Sequence, residues 1–170
     1  MTASIDHFHR PGHKFRSINR EWTPETYFEE GFDYALFERL VLAPLTGGGT
    51  GPVQTRHWHS GLDEPFPVEL LEVPVDGVLL VEGVFLAREE FRTSFDYRVW
   101  VDISIETMVS RGRKRDAAMV GSDEEAERRY VEFKAPLHLM YEALCQPKAI
   151  ADAVLEHETP ATPRLVFRSL

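Results

Sequence analysis

Acidic residues follow two apolar stretches of the chain, in positions suited to phosphoryl or metal chemistry. Asp6 comes directly after a strand-like run at residues 2–5. Glu82 follows the apolar run at residues 78–81 and precedes Gly83. Ligands of open α/β sheets collect outside the carboxyl ends of strands, so an acid there can act as a base or a metal ligand. The alternative for Asp6 is to cap the following turn, and the pattern at Glu82 is common among proteins.

A cluster of cations indicates a second chemical possibility, the binding of phosphate. Arg111, Arg113, Lys114 and Arg115 lie within five residues near the end of a predicted helix. Arg111 and Arg115 are four apart, so they share a helix face and could clamp a polyphosphate through bidentate bonds. A solvated helix face, complementation of the helix dipole and a nucleic-acid patch are the alternatives. Taken alone, the cluster favours the solvated face.

Two His-x-His pairs allow a third reading, a metal centre. His7 and His9, with His13 nearby, form one pair, and His57 and His59 form the other. Zinc and iron sites use such pairs together with a carboxylate. Because so short a motif often arises by chance, the metal site remains one hypothesis among several.

Composition restricts the class of protein that can carry these residues. The 170 residues hold 28 acidic and 19 basic side chains, a net charge of −9, which argues against a protein that wraps nucleic acid. One cysteine, Cys145, cannot form an internal disulfide. The N-terminal residues do not resemble a signal peptide, and the most apolar stretch is too short to span a bilayer. We expect a single cytoplasmic α/β domain over residues 1–170, without a membrane partner.

Alternating strands and helices would position the candidate residues. We predict strands at residues 2–5, 78–81, 97–101 and 152–156, paired in parallel and covered by helices on both faces. Capping residues predict helices that begin at Thr23-Pro24, Asp33, Ser104 and Ser122, the last one bent at Pro136. Residues 7–22 are predicted to be a loop, and residues 46–75 a loop or hairpin insertion.

Short motifs follow one another along nearly the whole chain. They are Asp6-His7-Phe8-His9-Arg10-Pro11, Thr23-Pro24-Glu25 with Tyr27-Phe28, Phe32-Asp33-Tyr34, Pro44-Leu45, Val78-Leu79-Leu80-Val81-Glu82-Gly83-Val84-Phe85, Val101-Asp102, Arg115-Asp116, and Arg129-Tyr130 before Pro136. In their order and spacing, over about residues 3–156, they resemble the uridine kinase family of P-loop nucleoside kinases.

The resemblance implies a fold and a reaction. The fold would be a P-loop kinase-like parallel sheet with flanking helices, and the reaction an ATP- and Mg²⁺-dependent phosphorylation of the 5′-hydroxyl of a uridine- or cytidine-like nucleoside. Asp6 would activate that hydroxyl, Glu82 would help to organise Mg²⁺, and Arg115 would belong to a lid over residues 111–129. The other implied contacts are His9, Arg10, Tyr27, Trp58, His59 and Arg129 for the nucleoside, and Arg111 and Arg113 for phosphate.

The sequence departs from this family in one major respect. It contains no Gly-Lys dipeptide, hence no Walker A motif, and the family's phosphate-loop strand and helix would precede Asp6. Trp22 and His59 also stand where an acid is expected. Either the true start lies upstream and the complete protein is a kinase, or the chain is a non-catalytic descendant that binds a nucleoside or a partner. A sheet without its central strand would also expose unpaired amides, so a homo-oligomer is possible.

Overall fold

The computed structural model describes residues 1–168, which contain two compact units: Met1–Phe95 and a second that begins at Asp96. Each unit combines helices with small sheets, so the α/β class is confirmed at that level. The sheets are small and mixed, with both parallel and antiparallel pairs. No helix within residues 1–168 has the length and apolar character needed to cross a membrane.

The first unit is organised around a parallel pair of strands that are far apart in sequence. Its strands are β1 (Thr2–Ser4), β2 (Trp58–His59), β3 (Glu64–Pro65) and β4 (Leu80–Glu82). β1 pairs in parallel with β4, in a register that sets Ser4 opposite Glu82. β2 and β3 form an antiparallel hairpin within the predicted 46–75 insertion.

The helices of the first unit are α1 (His13–Ile18), α2 (Pro24–Glu30) and α3 (Tyr34–Phe37), the last continuing into a π-helical turn at Glu38–Leu42. The predicted caps are confirmed, since the side chains of Thr23 and Asp33 accept backbone N–H bonds at the starts of α2 and α3.

The prediction that residues 7–22 form a loop is wrong, because this stretch contains α1 and the end of a 3-10 turn at Ile5–Phe8. Helix α1 has no side-chain cap, begins after Gly12 and buries none of its residues. It therefore lacks both the capping residue and the apolar stripe from which a helix is predicted.

Phenylalanines form the core of the first unit. The Phe37 ring contacts Phe8 and Phe91 edge-on, with ring centroids 5.1 and 5.6 Å apart. These three side chains and Phe32 are fully buried. The segment that contains Asp6 and His9 is therefore anchored to the core through Phe8.

The second unit holds a three-stranded sheet and a chain of helices. Its strands are β5 (Val99–Asp102), β6 (Ala153–Glu156) and β7 (Arg164–Phe167), with β6 in the centre, parallel to β5 and antiparallel to β7. Its helices are α4 (Ile105–Val120), α5 (Asp123–Arg129), α6 (Ala135–Cys145) and α7 (Pro147–Ile150). The sequence analysis did not predict β7.

The helices of this unit begin where the sequence predicted, and their later course differs. Ser104 and Ser122 cap α4 and α5. The predicted bend at Pro136 takes the form of a π-helical turn at Tyr130–Lys134, which separates α5 from α6. Proline has no N–H to donate to the preceding turn, and a widened turn accommodates that loss.

The prediction that parallel strands are covered on both faces is wrong for both parallel pairs. Leu80 in β4 is 59% exposed, and Val101 in β5 is 50% exposed. Within residues 1–168, β4 pairs only with β1, and β5 pairs only with β6. Each pair therefore has an open edge bordered by apolar side chains.

Candidate functional site

The two acids singled out in the sequence lie at the same edge of the first unit. β1 and β4 run in parallel with Ser4 opposite Glu82, so their carboxyl ends meet where Asp6 follows one strand and Glu82 ends the other. The backbone N–H of Asp6 donates to Ser4 Oγ at 3.2 Å, which fixes the turn after β1. Both acids are exposed. This acidic edge is therefore open to a ligand from solvent.

Gly83 permits the close approach of the two turns that follow these strands. Its φ is +132°, a conformation that side-chain-bearing residues rarely adopt. A Cβ at this position would lie 2.5 Å from Cγ2 of Ile5, the residue before Asp6. A glycine immediately after Glu82 is thus a steric requirement of the acidic edge.

His9 ties the backbone of Asp6 to helix α2. Its Nδ1 lies 2.7 Å from the carbonyl oxygen of Asp6, and its Nε2 lies 3.3 Å from the hydroxyl of Tyr27. A carbonyl oxygen only accepts, so Nδ1 carries the proton and the Tyr27 hydroxyl donates to Nε2. Because His9 is buried and bonds to both groups, it holds the backbone of Asp6 in place.

The electrostatics of Tyr27 reflect this arrangement. Burial raises the pKa of its phenol, and the negative charge of Asp6 raises it further. The phenol therefore stays protonated at neutral pH and remains a donor to His9. The carboxylate of Asp6 is therefore close enough to Tyr27 to raise the pKa of its phenol.

Aromatic rings continue from His9 along one side of the unit. The His9 ring has its centroid 3.9 Å from that of His13, and Trp22 contacts Tyr27 edge-on at 5.4 Å. The guanidinium carbon of Arg16 lies 3.5 Å from the centroid of the Trp22 ring, a cation–π contact. We call this row of planar groups the aromatic wall; His9 and Tyr27 within it are buried.

The β2–β3 hairpin brings Trp58 toward the segment that contains His9. The Trp58 indole N–H donates to Asp63 Oδ1 at 3.0 Å, and the same oxygen accepts the backbone N–H of Gly12 at 3.0 Å. Asp63 was not predicted from the sequence. It lies two residues after Gly61 in a turn, and one of its two partners, Gly12, is 51 residues away.

His59 and Arg10 hold the local backbone in this structure. His59 Nδ1 accepts the N–H of Leu62 at 3.2 Å, which stabilises the hairpin turn. Arg10 Nε donates to the carbonyl oxygen of Phe32 at 3.2 Å. His59 is half-buried and Arg10 is exposed.

Apart from Arg10, the arginines predicted to bind phosphate or nucleoside lie in the second unit, where each has an acceptor. Arg111 donates to the carbonyl oxygens of His157 and Glu158 at 2.7 and 2.9 Å. The other three bond to side chains: Arg113 to Glu127, Arg115 to Asp116 and Tyr130, and Arg129 to Glu125. Arg111 and Arg115 therefore bond to different parts of the unit.

Arg115 is the most accessible of the arginines that form ion pairs. Its side chain is 75% exposed, against 38% for Arg113 and 40% for Arg129. Ion pairs at a protein surface contribute little free energy, so an exposed guanidinium exchanges its partner readily.

Oxygen donors suit Mg²⁺, and the carboxylates of Asp6 and Glu82 are the groups at the acidic edge that could hold it. No cluster of three or more His, Cys, Asp or Glu side chains within residues 1–168 is arranged to bind a metal ion. In the two predicted His pairs, Nδ1 of His9 and Nδ1 of His59 take part in hydrogen bonds to the backbone.

Neither the family models nor the curated proteins with which the chain was compared contain a match to it.

Proposed function

We propose that the chain is a uridine kinase-like phosphotransferase that binds a uridine- or cytidine-like nucleoside and activates its 5′-hydroxyl through Asp6. The observation that carries the proposal is the convergence of Asp6 and Glu82 at the carboxyl edge of the parallel pair β1–β4. The fold proposed with it is P-loop kinase-like, and the pair β1–β4 would be part of its parallel sheet.

Asp6 is the base in this proposal. Its exposed carboxylate can accept a proton from a hydroxyl that approaches from solvent, while its backbone is held by Ser4 and His9. Phosphoryl transfer depends mainly on positioning and charge neutralisation, so a rigidly held base at an open edge suits the reaction. The nucleoside would lie along the aromatic wall, within reach of His9, Tyr27 and Trp58.

Mg²⁺ and ATP complete the proposed reaction. Mg²⁺, when bound, would neutralise charge on the phosphates, and the carboxylate oxygens of Glu82 are suited to hold it, which leaves Asp6 as the base. Arg115, in the second unit, is the proposed phosphate contact of that unit, since it can exchange its surface partner Asp116 for phosphate. The sequence contains no Gly-Lys-Ser/Thr, so in this proposal the phosphates of ATP are held without a Walker A loop.

A second candidate function is nucleoside binding without phosphoryl transfer. Two observations favour it: the sequence has no phosphate loop, and the four arginines each have an acceptor within their own unit. In this case the acidic edge and the aromatic wall would bind the nucleoside alone, or bind it as part of a partner complex.

Calorimetry and a transfer assay together separate the two functions. Uridine, cytidine and ATP·Mg are titrated into the chain, and formation of nucleoside 5′-monophosphate is followed by ³¹P NMR. Transfer that falls by about 10²–10⁴-fold in Asp6→Asn, with uridine affinity kept within about threefold, supports the kinase. The matched control is Asp76→Asn, which removes an exposed carboxylate elsewhere in the same unit. Uridine binding without product supports the second function, and no binding of any nucleoside overturns both.

A further inference from the structure

Asp63 joins two segments of the first unit that are distant in sequence. Its Oδ1 accepts the backbone N–H of Gly12 and the indole N–H of Trp58, both at 3.0 Å. One segment is the loop that follows His9 and Arg10, and the other is the β2–β3 hairpin. Hydrogen bonds that end on a charged carboxylate are stronger than those between neutral groups.

The backbone at Asp63 is held in an uncommon conformation. Its φ is +59°, in the left-handed region, and its N–H donates to the carbonyl oxygen of His59 at 2.7 Å. Besides glycine, only Asn and Asp adopt this region with any frequency. The turn therefore favours Gly, Asn and Asp, and of these only Asn and Asp have a side-chain acceptor.

A second bond attaches the other end of the hairpin to the same segment. The backbone N–H of His57 donates to the carbonyl oxygen of His7 at 3.1 Å, and the His7 ring contacts Phe66 edge-on at 5.4 Å. Residues 57–66 are thus attached at both ends to residues 7–12, the segment that contains His9. If one attachment is lost, the other still holds the hairpin to residues 7–12.

We infer that Asp63 is a positioning residue for the proposed nucleoside site. Its carboxylate clamps the hairpin onto the segment of His9 and Arg10 and orients the indole of Trp58 toward that segment. The role rests on the proposed function, since it matters to activity only if a nucleoside binds there. Asp63 acts through Gly12 and Trp58 and has no assigned contact with the substrate.

Two substitutions distinguish the two roles of Asp63, that of its side chain as a hydrogen-bond acceptor and that of its backbone in the turn. Asp63→Asn keeps an acceptor oxygen and tolerates positive φ, whereas Asp63→Gly relaxes the backbone and removes the acceptor. If Asp63 is needed only for the turn, Gly should function at this position at least as well as Asn. If its side-chain acceptor is needed, Asn should replace it and Gly should not.

The measurements are hydrogen exchange at the Trp58 indole and the Gly12 amide by NMR, and uridine affinity by calorimetry. In Asp63→Gly we expect exchange at both N–H groups to accelerate and uridine affinity to fall, each by about tenfold or more, the loss of a charge-assisted bond. Asp63→Asn keeps an acceptor but loses the charge, so both should change by clearly less than in Asp63→Gly. Unchanged exchange and affinity in Asp63→Gly would overturn the inference.

The same data distinguish this inference from the proposed function. If the unaltered protein binds no nucleoside, the proposed function fails and the positioning role fails with it. The exchange rates of Gly12 and Trp58 then still decide whether Asp63 clamps the hairpin. If the nucleoside binds and Asp63→Gly binds it equally well, only the inference fails.

Discussion

Tyr130, Asp116 and Arg115 form a compact hydrogen-bonded group in the second unit. The Tyr130 hydroxyl donates to Asp116 Oδ2 at 2.9 Å and accepts from Arg115 at 2.7 Å. Burial, reinforced by the bond to Asp116, raises the pKa of Tyr130 to about 12. Burial opposes ionisation of Asp116, yet the bonds from Arg115 and Tyr130 outweigh it and hold the pKa of that carboxyl below its usual value.

These opposite shifts predict a loss of stability at both ends of the pH range. The raised pKa of Tyr130 contributes stability that is complete below the unfolded value of about 10 and is lost as pH rises through about 12. The lowered pKa of Asp116 contributes stability that is present above about pH 4 and is lost as pH falls through its folded value. Urea unfolding at about pH 3, 7 and 11 measures both.

A Tyr130→Phe variant serves as the control for the alkaline limb. It removes the phenol, so the loss between about pH 10 and 12 should become smaller than in the unaltered protein. The loss does not disappear, because burial also raises the pKa of Tyr27 and Tyr34. An unfolding free energy as high at pH 11 as at pH 7 would contradict the prediction.

At the scale of elements, Gly112 determines how closely helix α4 approaches the turn at Tyr130–Lys134. A Cβ on Gly112 would overlap three carbons of the Tyr130 ring. Alanine normally stabilises a helix interior by about 1 kcal/mol relative to glycine, but overpacking costs about 1–3 kcal/mol. Overlap with three ring carbons puts the cost in the upper part of that range, so we expect Gly112→Ala to lower the free energy of unfolding by about 1–2 kcal/mol in urea denaturation.

Ser110→Ala is the control for Gly112→Ala, since it changes an exposed residue of the same helix. It should leave stability unchanged or raise it by a few tenths of a kcal/mol. If Gly112→Ala proved as stable as the unaltered protein, the ring of Tyr130 would not pack against this glycine.

The starts of helices could be predicted because the signal is local. The side chains of Thr23, Ser104 and Ser122 each accept the backbone N–H of the residue three positions ahead, so donor and acceptor are close in sequence. The π-helical turns could not be predicted in the same way, since neither begins with a side-chain cap. At the candidate site, Asp6 and Glu82 were each predicted to follow a strand, whereas their position side by side depends on a β1–β4 register between residues 78 apart. Asp63 escaped prediction because its bond to Gly12 spans 51 residues of chain.

At the scale of the whole molecule, the open strand edges are the feature with the largest physical consequence. Strands β4 and β5 each have one neighbour within residues 1–168, and Leu80 and Val101 beside those edges are half-exposed or more. Unpaired backbone groups beside apolar side chains are a template for pairing with another strand.

We therefore expect the protein to self-associate as its concentration rises, and Val101→Lys to weaken that association. A lysine at an edge discourages strand pairing and costs little stability at an exposed position. Light scattering coupled to size-exclusion chromatography measures the mass of each species. We expect Val101→Lys to shift the concentration of half-association upward by about tenfold, the equivalent of 1.4 kcal/mol.

Val131→Lys is a matched control for this experiment. Val131 is 54% exposed, similar to Val101 at 50%, but lies in a helical turn rather than on a strand edge. A lysine there adds the same charge without blocking an edge, so association should remain nearly unchanged. An unaltered protein that stays monomeric up to about 100 μM, or equal effects of the two substitutions, would contradict the role of the edge.

The pairing of β1 with β4 also has a consequence for the timing of folding. Thr2 leaves the ribosome before its partner Leu80, which follows 78 residues later in the chain. At roughly 5–20 residues per second, β1 waits on the order of 4–16 s before β4 has been synthesised. The acidic edge therefore forms only after nearly all of the first unit has been translated, and its first strand spends that interval as a nascent segment without its partner.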